Sequence, residues 1–285
     1  MNRLAVFVHF DKDDMVDDYV LYYLKELKVV ANDIIFVTTS SISKSEIDIL
    51  EKICKNVILR DNIGYDFMSY KIGLDSSDLN IYDEVIICND SVYGPIYSLK
   101  SLFNKMSLKE ECDFWGITDS KQFAYHLQSY FIVFKKKAIS SVAFKDFWSD
   151  VKVLESKNDI IFQYEIGLTQ ILEQEGLIPK AIITKDISHM MIYIKILKIA
   201  LFGNFKIAFN ELKNFKPTTP INCNITLWFW DDIIKEDKIP FIKVAALRDN
   251  ALGMRNVKDF KRIINLVSNY PTNMIAKHIF RMKTR

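Results

Sequence analysis

Cysteine is scarce in this chain, and its distribution argues against a metal-binding cysteine cluster. Only four cysteines occur among 285 residues, and no two of them form a CxxC pair. The sequence therefore predicts no zinc site. Cys54 and Cys88 lie in apolar runs and are predicted to be reduced core residues, whereas Cys112 and Cys223 have polar neighbours and are left open. This usage fits a reducing compartment, so we expect a cytoplasmic protein.

Long uncharged runs and a strong net charge are also missing. No eighteen-residue stretch is free of charged residues, so the sequence predicts no membrane-spanning helix. The first apolar run, residues 4–10, is short and leads directly into acidic residues, so we expect no signal peptide. The formal net charge of +2 gives no reason to expect a nucleic-acid partner.

Apolar residues, in contrast, are abundant. They make up 49% of the chain, and aromatic residues make up 13%, which excludes disorder and predicts a substantial core. The length suffices for one large α/β domain with an appendage or for two smaller domains. Because the character of the sequence changes near residue 188, we predict an α/β domain over residues 1–188 and a mainly helical extension over residues 189–285.

Strand and helix patterns alternate in the first part of the chain. This βαβαβ order predicts a mostly parallel, doubly wound sheet with flanking helices. The predicted strands are residues 4–10, 33–38, 57–59, 85–88, 114–117 and 130–134. The predicted helices are residues 15–27, 44–54, 144–154 and 164–174, the last of which ends at Gly176.

The C-terminal part mixes apolar residues with lysines. In residues 190–209 these are Lys195, Lys198 and Lys206, and a helix pair bent at Gly203-Asn204 is the simplest interpretation. Such a segment suits an interfacial helix that keeps its cations at anionic lipid headgroups. An ordinary amphipathic helix packed on the rest of the chain is the alternative. A linker is predicted at residues 217–220, and further helices are predicted at residues 228–234 and 257–267.

The most informative segment is a strand pattern that ends in polar residues. The apolar run 85–88 leads directly into Asn89, Asp90 and Ser91. Ligands bind beyond the carboxyl ends of strands in open α/β sheets, so these side chains are expected at a binding site. Their oxygens suit a hard divalent cation, Mg²⁺ or Mn²⁺, and the phosphates that it holds, with Asp90 as the metal ligand. An Asx turn without any ligand is the alternative.

A second polar segment follows the third predicted strand and contains one of only eight glycines. Gly64 permits positive φ and close approach of the backbone to a ligand. Arg60 can pair with a diphosphate, and Asn62 and Asp66 can hydrogen-bond ribose or sugar hydroxyls. The alternative is an ordinary strand-to-helix loop in which Asp66 caps the helix.

The end of the first predicted strand carries His9 and Asp11, at the edge of the sheet where nucleotides commonly lie. The segment Asp11-Lys12-Asp13 also superficially resembles the nucleophile motif of haloacid-dehalogenase-like phosphatases. That motif normally continues with a small hydroxyl residue, where this chain has Asp14 and Met15. Nucleotide binding is therefore preferred over phosphatase activity.

Two further segments offer groups for substrate positioning and for proton transfer. His126 and Gln128 precede the predicted strand 130–134, where they can position a substrate, although a structural role for His126 is equally open. Glu165 stands near the start of a predicted helix, and a carboxylate beside a cation–diphosphate site can deprotonate an incoming hydroxyl. Stabilisation of the helix N-terminus is the alternative role for Glu165.

Taken in order, these segments resemble the rhamnan-synthesis F family of bacterial cell-surface polysaccharide enzymes. No single motif is decisive, but the ordered set covers most of the chain. The matching segments are His9 and residues 62–66, 89–95, 113–116, 126–131, 164–168, 239–243 and 247–250.

The resemblance implies a glycosyltransferase of the GT-A type, in which a DxD signature at a strand end binds the metal–diphosphate of a nucleotide sugar. Asn89-Asp90-Ser91 occupies that position with only one carboxylate, so a loosely held cation and direct pairing of the diphosphate with Arg60 both stay open. The acidic base that inverting enzymes of this type carry at a helix start matches Glu165, with Asp119 in reserve. Trp115 joins His126 and Gln128 as an expected acceptor-binding residue.

The reaction implied is a single in-line displacement with inversion at the anomeric carbon. The donor is a nucleotide sugar such as dTDP-rhamnose or UDP-galactofuranose, and the acceptor is a glycan or lipid-linked glycan. Such acceptors place the protein in the cytoplasm, at the inner face of the cytoplasmic membrane. The incomplete DxD signature supports an alternative, a non-catalytic nucleotide-sugar or glycan-binding subunit of a polysaccharide-assembly complex.

Overall fold

The structure is a computed structural model that describes residues 1–108, 111–184, 187–214 and 224–283. The predicted linker at residues 217–220 and Cys223 lie outside these ranges. The chain divides into two compact units. The first comprises residues 1–90, 98–120 and 124–183, and the second comprises residues 91–97, 121–123 and the described part of 184–285.

The strands are numbered in chain order. They are β1 Arg3–His9, β2 Asp33–Thr38, β3 Asn56–Leu59, β4 Glu84–Asn89, β5 Val92–Tyr93, β6 Phe114–Ser120, β7 His126–Leu127, β8 Phe131–Lys135, β9 Pro179–Ile183 and β10 Ile242–Lys243.

The helices fall between and after these strands. In the first unit they are α1 Asp18–Lys28, α2 Lys44–Leu50, α3 Tyr65–Asp75, α4 Leu99–Ser107, α5 Lys136–Ser140, α6 Val142–Asp150, α7 Lys157–Ile160, a π-helical segment Ile161–Ile166 and α8 Gly167–Gln174. In the second unit they are α9 His189–Phe202, α10 Phe205–Asn214, α11 Ile225–Trp228, α12 Trp230–Lys235, α13 Val244–Arg248, α14 Phe260–Asn265 and α15 Asn273–Lys283. Short 3₁₀ turns occur at Leu79–Ile81 and Arg255–Asp259.

The first unit is built on one mixed sheet with the strand order β3-β2-β1-β4-β8-β6-β7, and β9 pairs with β6. The pairs among β1, β2, β3 and β4 and the pair β6–β9 are parallel. Strand β8 runs antiparallel to both β4 and β6. The connection from β6 to β8 is too short for a parallel crossover, which explains this reversal. The predicted fold class, a mostly parallel α/β sheet with flanking helices and a helical C-terminal portion, is confirmed.

Strand β1 lies at the centre of the core. Its residues from Leu4 to Val8 are all buried, as expected for a parallel strand covered on both faces by helices. On one face, Phe7 stacks on Phe36 at 5.8 Å and meets Tyr23 edge-on at 5.1 Å. On the other face, Val6 packs beneath helix α3. This packing fixes the position of the β1 carboxyl end, which the candidate site uses.

Several elements differ from the sequence prediction. The predicted helix 164–174 begins as a π-helical segment, and the predicted helix 228–234 is two short helices, α11 and α12. The sequence did not predict β9, α4 or α15. The helix end at Gly176 is confirmed, because this residue has a φ of 76° and its N–H donates to the Glu173 carbonyl at 2.9 Å.

The second unit contains the predicted helix pair, α9 and α10, which meet at Gly203-Asn204. Lys195 on α9 is buried, and its Nζ lies 3.4 Å from Asp231 Oδ1 and 3.7 Å from Asp232 Oδ2. The prediction that Lys195 faces lipid headgroups is therefore wrong, because a buried ammonium needs its carboxylate partners. No helix within the described ranges combines the length and the apolar character needed to span a membrane.

Gly73 sets how closely helix α3 approaches the sheet. A Cβ at this position would clash with the Val6 side chain and lie 3.1 Å from Val37 Cγ2. We expect Gly73→Ala to lower the free energy of unfolding by about 1–3 kcal/mol, because the added methyl group overpacks the core. Denaturant unfolding measures this loss.

Gly167→Ala is the matched control, since Gly167 is also helical. The nearest atom to its added Cβ would be the Phe162 carbonyl oxygen, at an ordinary 3.5 Å. This variant is expected to keep or slightly raise the free energy of unfolding. Equal losses in the two variants would show that close packing is not what selects Gly73.

Candidate active site

Four segments of the first unit bring polar side chains to one edge of the sheet. Strands β1 and β4 end there, and helix α3 begins there. Because β8 is antiparallel to β4, its first residue Phe131 pairs with Cys88 near the end of β4. The segment that precedes β8 therefore lies at this same edge, and the Asn89 N–H donates to the Tyr130 carbonyl at 3.3 Å.

Asp90 is fixed at the end of β4 by contacts with the β1 end. Its Oδ2 accepts a hydrogen bond from the Phe10 N–H at 2.9 Å and lies 3.9 Å from His9 Nε2. Its carbonyl accepts from the Tyr19 hydroxyl at 3.1 Å. Burial raises the pKa of Asp90 well above its usual range, and the neighbouring carboxylates of Asp66 and Asp11 raise it further. Burial and two neighbouring carboxylates therefore both disfavour the ionised form of Asp90.

Asn89 links this strand end to helix α3. Its Nδ2 donates to Asp66 Oδ2 at 3.0 Å. Gly64, which precedes the helix, has a φ of 79° and so uses the left-handed conformation that glycine tolerates. The cap position is held by Gly64, which has no side chain, and the Asp66 carboxylate points to the β4 end instead.

Three further predicted donor-binding residues hold the loops around this edge. His9 Nδ1 lies 2.9 Å from Thr38 Oγ1, and Asp11 Oδ1 accepts from the Asp13 N–H at 2.9 Å. The Arg60 guanidinium donates to Ser69 Oγ at 2.6 Å and to the Ile63 carbonyl.

Two other predicted donor residues lie elsewhere on these segments. Asn62 is exposed on the loop that Arg60 holds. Ser91 belongs to the second unit, where its carbonyl accepts from the Val244 N–H at 2.8 Å.

Glu165 approaches the cluster from the π-helical segment. Its Oε1 accepts two hydrogen bonds from Ser129, one from the N–H at 3.1 Å and one from Oγ at 2.9 Å. The Ser129 carbonyl in turn accepts from the Tyr70 hydroxyl at 3.1 Å. The sequence analysis did not single out Ser129 or Tyr70, because a serine before a strand and a tyrosine within an apolar helix carry no distinguishing pattern.

Tyr70 connects the two halves of the cluster. Burial raises its pKa well above the usual range, and the charges of Asp66, Asp90 and Glu165 raise it further. A single neutral phenol therefore lies within electrostatic reach of all three carboxylates. The hydrogen bond of the Tyr70 hydroxyl leads through Ser129 to Glu165, and Asp66 lies on the same helix as Tyr70.

The other predicted residues lie beside this cluster rather than within it. His126 Nδ1 lies 2.9 Å from the Ala124 carbonyl oxygen, and Gln128 Oε1 accepts from Thr118 Oγ1 at 2.7 Å. Asp119 pairs with Leu127 in the β6–β7 ladder. Burial, followed by the charges of Asp119 and Glu173, raises the pKa of the neighbouring Tyr125 to about 12.

Trp115 is placed in the core. Its side chain is fully buried, with its ring 5.1 Å from Phe103 and 6.0 Å from Phe131. The structure therefore does not bring Trp115 to the cluster, and its ring offers no exposed surface to an acceptor.

Comparison with known proteins assigns the chain to a family. Residues 34–196, more than half of the chain, match the family described as rhamnan synthesis protein F. The chain belongs to this family. The matched span includes Asp66, Asp90, Ser129 and Glu165, which are four of the residues that meet at the sheet edge. Membership in the rhamnan synthesis protein F family supports a role as a glycosyltransferase.

Three individual proteins that resemble this chain each share less than 30% sequence identity with it. The virulence protein VirA of Vibrio anguillarum is 28% identical over 247 residues, which cover 81% of this chain and 74% of VirA. A 4-diphosphocytidyl-2C-methyl-D-erythritol synthase from Anaerococcus prevotii aligns with a TM-score of 0.44 and 14% identity, covering 67% of this chain and 93% of that one.

A second solved structure is glucosyl-3-phosphoglycerate synthase from Mycobacterium tuberculosis, which was crystallised with Mn²⁺ and UDP. It aligns with a TM-score of 0.38 and 9% identity, covering 63% of this chain and 68% of that one. At such low TM-scores these two structural likenesses add nothing to the assignment, which depends on the family match.

Proposed function

We propose that this member of the rhamnan synthesis protein F family is an inverting glycosyltransferase. It transfers a sugar from a nucleotide-diphosphate donor to a surface-polysaccharide acceptor. The observation that carries the proposal is a set of hydrogen bonds: Asn89 joins Asp66 to the end of β4, and Ser129 joins Glu165 to Tyr70 on helix α3. Asp66 and Asp90 suit a cation that would bind the donor diphosphate, and Glu165 suits proton transfer.

The donor side of the site fits a divalent cation. Asp90 offers a carboxylate of the kind that Mg²⁺ and Mn²⁺ prefer as a ligand, and the negative charges of Asp66 and Asp11 act on it. Asp90 would hold the cation, with Asp66 and Asp11 as the neighbouring carboxylates. When bound, such a cation supplies positive charge that offsets the negative charge on the departing diphosphate.

The acceptor side depends on Glu165. Its carboxylate takes the proton from an acceptor hydroxyl, and that oxygen attacks the anomeric carbon of the donor sugar. The bond from the anomeric carbon to the diphosphate oxygen breaks, and the nucleoside diphosphate leaves with the bonding electron pair. Attack and departure on opposite sides invert the anomeric carbon.

The donor sugar and the acceptor are part of the proposal. The family description favours dTDP-rhamnose as the donor, with UDP-galactofuranose as the second candidate, and a glycan or lipid-linked glycan as the acceptor. Thermal stabilisation of the purified protein by a panel of nucleotide sugars identifies the donor. Hydrolysis of that donor separates an enzyme from a non-catalytic binding subunit, which would bind the donor without consuming it.

Asp90→Asn tests the donor side. We expect transfer to fall by roughly 10²-fold or more, because the variant removes the carboxyl group that would hold the cation at the end of β4. Turnover is measured with Mg²⁺ or Mn²⁺ present, together with the melting temperature. Asp83→Asn is the matched control, since Asp83 is exposed directly before the opposite end of the same strand, where its carboxylate accepts from the Asn2 N–H. Normal turnover by Asp90→Asn would remove Asp90 from the mechanism.

Glu165→Gln tests the base. The amide keeps the size of the side chain and cannot accept the proton, so transfer is expected to be lost while donor-induced thermal stabilisation persists. Asp119→Asn is measured in parallel and is expected to retain transfer. If Glu165→Gln turns over at the parent rate while Asp119→Asn is inactive, Asp119 is the base.

The proposed acceptor requires access to a membrane surface, and the α9–α10 pair has a suitable face. We define the α9–α10 face as its exposed apolar side chains together with the exposed cations Lys198 and Lys206. The apolar members are Met190, Tyr193, Ile194, Leu197, Leu201, Phe202, Phe205 and Phe209. Apolar residues interleaved with cations fit the interface of an anionic lipid surface.

Co-sedimentation with vesicles tests this face. The protein is expected to bind vesicles that contain phosphatidylglycerol, to bind less with added salt, and to ignore pure phosphatidylcholine. Replacing Lys198 and Lys206 by glutamate should abolish binding. The matched control replaces Lys105 and Lys145 by glutamate. Both lysines are exposed in the first unit, and this variant should not change binding. Protein that stays in the supernatant at low salt would refute the proposal.

A further inference from the structure

The carboxylate of Glu165 is held by only one of its two oxygens. Both hydrogen bonds from Ser129, at 3.1 Å from the N–H and 2.9 Å from Oγ, end on Oε1. Within the described part of the chain, no hydrogen bond to Oε2 is formed. Two donors on one oxygen fix the carboxylate plane, and the second oxygen keeps its lone pairs for another partner.

We infer that Ser129 is the positioning residue of the transfer reaction, and this inference rests on the proposed role of Glu165 as the base. Ser129 acts through Glu165. It holds Oε1 so that Oε2 is presented to the acceptor hydroxyl, which gives up its proton to that oxygen. Correct placement of a catalytic group accounts for a large part of enzymatic rate enhancement, and small displacements are costly.

Ser129 is itself fixed from two sides. The buried Tyr70 hydroxyl donates to its carbonyl at 3.1 Å, which ties it to helix α3. The next residue, Tyr130, accepts from the Asn89 N–H at 3.3 Å, which ties the segment to the end of β4. The position of the base therefore depends on the same strand end that carries Asp90.

The segment 125–129 runs along helix α8 and the π-helical segment and bonds to them at alternate residues. The Tyr125 carbonyl accepts from Gln170 Nε2 at 2.7 Å, and the Leu127 N–H donates to Thr169 Oγ1 at 3.1 Å. The Ser129 bonds to Glu165 are the third contact in this series. Two neutral side chains already join the segment to the helix, so a carboxylate is not needed for that structural purpose.

The backbone at Glu165 supports the same role. Residues Ile161–Ile166 form a π-helix, whose wider turns are rare and are found frequently at functional sites. Regular α-helix resumes at Gly167, directly after the candidate base. The helix is locally widened where it carries Glu165, and among the residues that the structure describes only one oxygen of that carboxylate is hydrogen-bonded. These two features favour a role in proton transfer over a purely structural role.

Ser129→Ala tests the inference in the full-length protein. It removes the Oγ donor and keeps the N–H, so kcat is expected to fall by about 10-fold to 100-fold. The KM for the donor and the donor-induced thermal shift should not change. The donors used as probes are dTDP-rhamnose and UDP-galactofuranose. Ser129→Thr retains the hydroxyl and is expected to recover most of the lost rate.

Two further variants separate positioning from stability. Thr169→Val removes the neighbouring bond of the same series without touching Glu165, so it is expected to keep kcat. Any residual transfer by Glu165→Gln should not fall further when Ser129→Ala is added, because the two residues act as one unit.

The outcomes distinguish this inference from the proposed function. Normal kcat in Ser129→Ala, with Glu165→Gln inactive, overturns only the positioning role. Equal losses of kcat in Ser129→Ala and Thr169→Val also overturn the positioning role, because the Ser129 bond would then serve stability. A further loss of kcat in the double variant overturns it as well, because Ser129 would then act independently of Glu165. Normal turnover by Glu165→Gln overturns both proposals.

Discussion

The antiparallel pairing of β8 with β4 is the constraint on which the candidate site depends. In an all-parallel sheet, the start of a strand and the end of its neighbour lie at opposite edges. Reversal of β8 brings its start to the edge where β1 and β4 end, and Cys88 pairs with Phe131 as a result. Ser129, directly before this strand, can then hold Glu165 beside the end of β4.

The partial burial of several carboxylates at one edge shapes the chemistry of the site. The Asp90 side chain accepts a backbone hydrogen bond from Phe10, whereas Asp66 and Asp11 make its ionised form less favourable. A folded protein tolerates such a cluster when a cation or a polar ligand compensates the charge. Tyr70 remains a neutral donor among these groups, so it can hold Ser129 without adding a charge.

The second unit shows how one run of lysines can serve two purposes. Lys195 is buried against Asp231 and Asp232 and over the Phe229 ring, so it stabilises the helices among themselves. Lys198, three residues later, is exposed on the α9–α10 face. Positions three apart lie on neighbouring parts of a helix surface, and the packing of α12 decides which lysine is covered.

Local pattern in the sequence was enough to predict the first alternating strands and helices, the strand 85–88 that leads into Asn89, the helix end at Gly176 and the helix pair at Gly203-Asn204. It also delivered Asp66, Asp90 and Glu165 as candidates, because polar residues after apolar strands and at helix starts are visible along the chain. The partners of these residues were not visible. Contacts between segments distant in sequence determine the roles of Ser129 and Tyr70 and the ion pairs of Lys195. The direction of β8 and the π-helical turn follow from how the chain returns to the sheet. Residue type and spacing carry local preferences, whereas only tertiary packing decides which of those residues meet.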